Sequence, residues 1–587
     1  MTDFTLKIGG EAGQGIASSG LIFGKLALRS GYFVFDTNEY PSLIRGGHNT
    51  YATRVSEEKV FSQSNKIDIL IALDQNTVDF HQDELSPGSI IILNSEKYSN
   101  PVSSDKVNVF LIPLIKLAKD AGGSEVMMNN VALGAAVFFL KADFGILESV
   151  IRDVFASAKP EMIDLNIKSA KAGFNFAKEN FATVKVPFSL ERMNNIEQLF
   201  LTGNDAFCLG AVKAGCKFFA AYPMTPINSI IAYFAAKAKE LGMVYFQPED
   251  EIAAVNSAIG SASTGVRSMT ATSGGGFSLM VEALGMAGMT ETPIVIINGQ
   301  RPGPSSGLPT WTGQGDLKFV LSAGQDDFPR IVLAPGDVEE CFWMATEAFN
   351  LADKYQVPVI ILTDKYLSES RQSVAVFDES KVKIDRGLLL SEKDQQNDFK
   401  RYAFTRNGIS PRAIVGRQGP KGFLINSYEH DESGFSTEDP KIRTAMMEKR
   451  MKKLETIEKE MPKPLVYGDK KANFLFIGWG STKGPVLEAQ KILEDEGFKT
   501  KFLFLNYLNP FPKEEVASVI KSSKKVLLIE QNAVGQLGDL IEQKTGLEIK
   551  ERFLKYDGRP FNPEEIVEKV SKIIKNPNPN SNTTNNQ

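Results

Sequence analysis

The stretch FTLKIGGEAGQGIASSGLIFGKLALRSGYFVFD, residues 4–36, decides the fold. An apolar strand pattern runs into a glycine turn. An amphipathic helix pattern follows, and a second strand pattern ends at Asp36. That order is a βαβ unit, the building block of parallel sheets. IDILIALD (67–74) and GSIIILNS (88–95) are further apolar runs of buried-strand length. The alternation returns downstream, where CKFFAAYP, VRSMTATS, TPIVIIN, PRIVLAP and VPVIILTD are separated by alanine-rich helical runs. NFLFIGWGSTKGPVLEAQKILEDEG and KVLLIEQNAVGQLGDLIEQKTG repeat it, each as strand, turn and helix. The expected class is multidomain α/β, with parallel sheets covered by helices.

A chain of 587 residues is too long for a single core. The patterns divide it into an α/β domain over 1–190 and a second over 191–370. A polar connecting segment over 371–465 leads to a third α/β domain over 466–576, and a low-complexity tail over 577–587 is expected to be disordered. The net charge of −5 and the lack of a long basic run argue against a nucleic-acid partner. KRMKKLETIEKE (449–460) is mixed in sign and predicts a solvated helix. The three cysteines, Cys208, Cys216 and Cys341, show no Cys-x-x-Cys spacing, and the three histidines, His48, His81 and His430, stand far apart. No metal or cluster site of the chain's own is expected. So few thiols point to a reducing compartment, the cytoplasm. There is no apolar signal core and no apolar run of spanning length, so no membrane association is expected.

Four stretches carry candidate chemistry. GGEAGQG (9–15) offers bare backbone N–H groups between a strand and a helix, with Asp36 on the next strand. The glycine order departs from that of dinucleotide sites, so tight-turn packing and another phosphate-bearing ligand stay open beside NAD. In SLIRGGHN (42–49), Arg45 either reaches a carboxylate or phosphate or braces a turn. In AAYPMTPINSI (220–230), Thr225 and Pro226 predict an N-cap and first helical residue at the carboxyl end of a parallel strand, where open α/β sheets bind ligands. In QPEDEIAAVNSAIGSASTG, an acidic triplet opens a helix on which Ile252, Val255 and Ile259 form an apolar stripe. Glu251 falls at the margin of that stripe, partly removed from water. TSGGGFS (272–278) then gives bare backbone at a strand end, before a small-residue helix suited to a tight interface or to internal packing.

Taken in order, these motifs resemble the alpha subunit of 2-oxoacid:ferredoxin oxidoreductases, in the form with a gamma domain fused ahead of it. GGEAGQGI and SLIRGGHN look like gamma-domain signatures. GNDAFCLGAVKAGCKFFAAYPMTP looks like the alpha opening, with Met224 inside its Tyr-Pro-Ile-Thr-Pro motif. PEDEIAAVNSAIGSASTG, TATSGGGFSLMVEALGMAG, QRPGPSSGLPT, EHDESGFSTEDPKIRTAMMEKR, EQNAVGQL and YDGRPF follow in family order. The resemblance implies a Rossmann-like gamma domain, a pyrimidine-type thiamine-diphosphate domain and a transketolase C-terminal-like domain. It implies oxidative decarboxylation of a 2-oxoacid to acyl-CoA and carbon dioxide, with electrons passing to ferredoxin. Glu251 would contact the cofactor's aminopyrimidine, with Glu249 in reserve. Thr225 would face the substrate, Tyr222 and Pro223 would shape its pocket, and Thr272, Ser273 and Gly274 would line the cofactor cavity. Gly13, Gly15 and Arg45 would lie near coenzyme A.

The family's diphosphate and magnesium motif, and its iron–sulfur cysteines, belong to a beta subunit. YDGRPF is not that motif, because no glycine precedes Asp557. The resemblance therefore implies half a site, completed by a beta subunit in an (αβ)2 assembly. After GLPT many relatives carry a basic residue for the 2-oxoacid carboxylate, and Trp311 stands there instead. A charge-assisted bond contributes about 1.5–3 kcal/mol, so Arg301, Lys318 or Arg45 must replace it, or Trp311 packs on an aliphatic part of the substrate. The fused layout looks most like the 2-oxoglutarate-type members, with pyruvate and branched-chain or aryl 2-oxoacids as alternatives. A nucleotide-binding dehydrogenase and a non-catalytic interaction subunit are the rival readings.

Overall fold

The computed structural model describes residues 2–43, 46–98, 107–194, 197–391, 399–414 and 423–575. The expected tail lies outside them, as does Arg45. Three sheets organise the chain, and the first corrects the reading of the opening stretch. Asp3–Glu11, the helix Ile16–Arg29 and Phe33–Glu39 form as expected. The strand His48–Ser56, not read from the sequence, inserts antiparallel between the two strands. The βαβ unit is thus split and the sheet is mixed. The reason is register: HNTYATRVS is long enough to pair with both neighbours along their full length, and a short loop from Phe33–Glu39 can return only antiparallel.

The first sheet runs Asn108–Ile112, Leu85–Asn94, Ile67–Ala72, Asp3–Glu11, His48–Ser56, Phe33–Glu39, Arg371–Ala375, Gln198–Thr202. Its last two strands come from beyond residue 190, so the sheet crosses the sequence boundaries. Asp36 makes that joint. The Arg371 amide donates to its Oδ1 at 2.9 Å, Tyr51 donates its hydroxyl to Oδ2, and Arg371 Nη1 donates to that hydroxyl at 3.1 Å. Burial pushes the Asp36 carboxyl up to about 6 despite these donors.

The second sheet runs Tyr507–Asn509, Ile331–Leu333, Pro358–Asp364, Ile294–Gln300, Ser268–Thr272, Phe218–Ala220, Val244–Phe246, parallel apart from its first strand. The third runs Leu465–Gly468, Thr500–Leu505, Phe474–Trp479, Lys525–Glu530, Glu551–Leu554. A polar clamp fastens the two. The Gln314 amide donates to the Gln531 carbonyl at 2.7 Å, and Gln531 N returns a bond to Gln314 Oε1 at 2.9 Å. Gln314 Nε2 also donates to the Trp479 carbonyl at 2.8 Å. Beside it Glu530 accepts from Trp479 Nε1 at 3.0 Å and from the Leu537 amide at 2.9 Å, yet burial raises its carboxyl to about 7.

The helix Pro440–Glu460 corrects the solvated reading of 449–460, since Lys449, Arg450 and Lys453 are buried. Lys449 and Lys453 flank the fully buried Glu291 at 2.6 and 2.5 Å, and Arg450 pairs with Glu429 at 2.8 Å. Burial pushes the Glu291 carboxyl up, but Lys449, Lys453 and Arg401 together hold it well below its usual range. The segment is docked by charge, and the long stems of its cations supply the packing. Among the described residues, no helix is long and apolar enough to cross a membrane, and no group of His, Cys, Asp and Glu could hold a metal ion.

Two outcomes follow from these buried charges. From about pH 4.5 to about pH 7 folded Glu530 keeps a proton that the unfolded chain releases, so stability falls as pH rises, by up to about 3 kcal/mol. Urea melts at pH 5 and pH 7 should show a smaller fall for Glu530→Gln; an unchanged fall would clear Glu530. Glu291→Gln leaves two buried ammonium groups without their carboxylate, and the same melts should show a loss of about 3–5 kcal/mol.

Candidate active site

The site is assembled on the carboxyl edge of the second sheet. At the end of Phe218–Ala220 the chain leaves through Tyr222 and Pro223, both exposed, and Thr225, which is half-buried. The helix begins at Asn228 rather than at Pro226. A turn in which the Ile227 amide donates to the Met224 carbonyl at 3.0 Å takes the first position instead, because Pro226 has no N–H to offer. The Thr225 hydroxyl is therefore no helix cap; it accepts only a 3.4 Å bond from Asn228 Nδ2. The Thr225 carbonyl accepts from Arg301 Nη1 at 2.9 Å, which joins the threonine to the end of Ile294–Gln300.

The acidic triplet divides its work. Glu249 is exposed. Asp250 caps the helix Glu251–Ser263, accepting from the Ala253 amide at 2.7 Å. Glu251 is buried, 4% exposed, and lies on the packed face with Ala254, Val255 and Ala258. The sequence expectation is corrected here: Ile252 is 48% exposed and outside the stripe, because residues at spacings of three and four from Glu251 face inward with it.

Glu251 Oε1 is buried and has no hydrogen-bond partner. It packs on the strand Ser268–Thr272 and the following turn: a Cβ added at Gly276 would overlap Thr272 Oγ1 and come within 2.6 Å of Glu251 Oε1. The adjacent Ser273 hydroxyl is also buried and unpartnered. A Cβ at Gly274 would lie 2.5 Å from Asp316 Oδ2. Asp316 is held by Asn298 Nδ2 at 3.1 Å and, through its amide, by Gln300 Oε1 at 3.0 Å. Burial raises its carboxyl, while Asn298 and Arg301 oppose the rise. One continuous wall thus runs Thr225, Arg301, Asp316, Gly274, Thr272, Glu251. Asp316 and Asn298 escaped the sequence reading; the only signal was their place near the ends of the GLPT-to-QGDL stretch and of an apolar strand.

Other expected residues stand elsewhere. Lys318 faces away and pairs with Asp539 at 2.6 Å. Trp311 lies against the third sheet, with the Arg559 guanidinium 3.2 Å from its ring centre. Gly13 and Gly15 both have left-handed backbones; Gly13 faces open space, whereas a Cβ on Gly15 would overlap Asn129 Nδ2. Asp36, the acid a dinucleotide ribose would need, is consumed by Tyr51 and Arg371, which removes the support for NAD. The fold also gathers what sequence distance concealed: His48 and His81 meet with their Nε2 atoms 3.0 Å apart, and His81 Nδ1 lies 2.7 Å from Glu84 Oε1.

Several apolar side chains are exposed around this wall, among polar ones such as Asn228, Gln247 and Glu249. Tyr222, Val244, Phe246, Ile252 and Leu279 are all exposed, and Val244–Phe246 is the edge strand of the sheet. Gly260 and Gly275 face open space, while Gly288 is closed by Phe328. The small-residue helices therefore combine internal packing with open backbone.

Three family descriptions match along the chain. Residues 5–176 match "Pyruvate ferredoxin/flavodoxin oxidoreductase". Residues 209–449 match "Pyruvate flavodoxin/ferredoxin oxidoreductase, thiamine diP-bdg", and residues 472–566 match "Pyruvate:ferredoxin oxidoreductase core domain II". The 2-oxoacid:ferredoxin oxidoreductase 2, subunit alpha, of Aeropyrum pernix is 34% identical over 98% of both chains. The 2-oxoglutarate synthase subunit KorA of Methanothermobacter thermautotrophicus is 33% identical, covering 64% of this chain and 99% of its own. The solved 2-oxoglutarate:ferredoxin oxidoreductase of Magnetococcus marinus, with 2-oxoglutarate, coenzyme A and succinyl-CoA bound, aligns with a TM-score of 0.91 at 34% identity, over 98% of this chain and all of that one. Near-complete coverage at this identity shows that the chain belongs to the alpha subunits of the 2-oxoacid:ferredoxin oxidoreductases, with the gamma domain fused ahead.

Proposed function

We propose that this subunit builds the aminopyrimidine half of a thiamine-diphosphate site that oxidatively decarboxylates 2-oxoglutarate to an acyl-CoA, with electrons leaving to ferredoxin. The observation that carries the reading is the unpartnered, buried Oε1 of Glu251. A carboxyl oxygen left without a donor inside a protein is costly, and a heteroaromatic ring nitrogen bearing or sharing a proton is a fitting partner. The bare backbone of Gly275 leaves room beside it, and Ser273 Oγ supplies a second free polar atom. The residues present thus fit the cofactor. When bound, thiamine diphosphate supplies the carbanion-stabilising chemistry by which a 2-oxoacid loses carbon dioxide.

This chain's residues do the rest of the work assigned here. Glu251, through its unpartnered Oε1, holds and shifts a proton at the aminopyrimidine. Arg301, tied to the Thr225 carbonyl through one amino group, keeps its other donors for the 2-oxoacid. Tyr222, Pro223 and the Thr225 hydroxyl shape the mouth, and Thr272, Ser273 and Gly274 line the ring pocket. Coenzyme A, bound in the Magnetococcus marinus relative, would approach past the first sheet near Gly13 and Gly15; Arg45 lies outside the described residues.

Diphosphate, magnesium and the iron–sulfur cluster fall to a beta subunit in an (αβ)2 assembly. The exposed apolar rim of Tyr222, Phe246, Ile252 and Leu279 is its docking surface. The three cysteines are free and buried, as suits a reducing cytoplasm.

The chain purified alone should not reduce a viologen dye with 2-oxoglutarate. Adding the beta subunit and thiamine diphosphate should restore the activity, and robust turnover by the isolated chain would defeat the half-site reading. In the assembled complex, Glu251→Gln should slow cofactor activation by roughly tenfold or more, measured as hydrogen exchange at the cofactor's reacting carbon. A near-normal exchange rate would take Glu251 out of this role.

A further inference from the structure

A cavity of about 340 Å³ opens where the three sheets meet, lined among others by Lys7 and Glu39 on strands of the first, by Trp311 and Lys365 on segments that follow strands of the second, and by Lys555 and Arg559 just beyond the last strand of the third. It stands on the same carboxyl edge as the active-site wall. Thr312 on its lining donates to Asp364 Oδ1, at the end of Pro358–Asp364, at 3.1 Å. Pro358–Asp364 pairs directly with Ile294–Gln300, Gln300 opposite Asp364, so the strand end beside the cavity lies about 5 Å along the edge from the one that leads into Arg301. That is about the span between the two carboxylates of a five-carbon dicarboxylic acid, one reaching Arg301 and the other the cavity.

The cavity's charge is lopsided. Lys7 is matched by Glu84 at 2.5 Å and Lys555 by Glu565 at 2.8 Å. Lys365 is buried, donates to the Asn38 carbonyl at 2.5 Å and has Glu369 at 3.6 Å. Lys66, with Asp68 in its field, and Arg559 are in no salt bridge among the described residues. The Arg559 guanidinium is laid flat on the Trp311 indole, and the turn that carries it is fixed. Its amide bonds Asp557 Oδ1 at 2.8 Å, and the Gly558 carbonyl accepts from the Thr312 amide at 3.1 Å. Gly558 has a left-handed backbone, and a Cβ there would press on Trp311 Cβ at 3.0 Å. Arg559 Nη1 reaches the Asp557 carbonyl at 3.5 Å; the remaining edge N–H groups of a guanidinium stacked on a ring suit a carboxylate. An indole at 311 therefore does not strip the wall of charge; it is the platform on which a charge from the third sheet rests.

Resting on the reading that the substrate is a 2-oxoacid, we propose that Arg559, seated on Trp311 and assisted by Lys66, binds the distal carboxylate of a dicarboxylic 2-oxoacid and so sets the enzyme's preference for that class. The contact is made away from the reacting carbon, so it governs which acid enters rather than what happens to it.

The test uses the complex with its beta subunit and thiamine diphosphate. Arg559→Gln should lower kcat/KM for 2-oxoglutarate roughly ten- to hundredfold, the size of one charge-assisted hydrogen bond. It should change kcat/KM for 2-oxobutyrate by less than about twofold, and Arg559→Lys should recover part of the loss. Competitive inhibition by glutarate, which has the distal carboxylate and no keto group, should weaken in parallel. Lys66→Gln should shift the same ratio in the same direction, and serves if Arg559→Gln does not assemble. Equal losses on both acids, or a loss confined to the KM for coenzyme A, would overturn the assignment. A complex that oxidises neither acid would instead refute the proposed function itself.

Discussion

Buried polar groups must be bonded, and the architecture of this protein turns on where that rule is obeyed and where it is left open. At the joints it is obeyed for all but one of the groups named here, Gln531 Oε1 having no partner among the described residues. Asp36 is gripped by Tyr51 and Arg371, Gln314 by Gln531 and Trp479, and Glu291 by Lys449 and Lys453. These contacts lock three sheets and a connecting helix into one body, and each would be costly to break because the groups left behind could not reach water. On the carboxyl edge of the middle sheet, Glu251 Oε1, Ser273 Oγ and Asn298 Oδ1 lack partners. The rigid joints hold those atoms in a fixed place, which is what a preorganised site requires.

The same economy explains the glycines. Gly276 is required because Glu251 and Thr272 occupy the space a side chain would fill, and Gly274 because Asp316 does. Gly275 between them faces open space. One three-residue run thus both lets a carboxylate approach a strand end and leaves backbone bare for an arriving ring. The exposed apolar residues around the run would be a liability in a solitary chain, and they become reasonable if another subunit covers them.

Much of this was legible in the sequence because it is local. Apolar runs separated by helical runs gave several strands of each of the three sheets, since strand and helix periods are properties of neighbouring residues. The motifs marked the carboxyl edge, and the acidic triplet already contained the one residue that turns inward. The strand His48–Ser56 was missed because a half-polar run shows its pairing only when neighbours of matching length exist on both sides. Lys449, Arg450 and Lys453 were misread because charge predicts solvent unless a buried carboxylate waits elsewhere in the chain, and Glu291 lies far off in sequence.

By itself, then, the sequence determined the fold class, through short-range pattern, and the family, through motifs that follow one another in family order. Only the tertiary structure decided that Lys318 is spent on Asp539 and that Arg559 comes to lie over Trp311. Those outcomes depend on contacts between residues hundreds of positions apart. No local periodicity encodes them, because they are fixed by how whole sheets pack against one another.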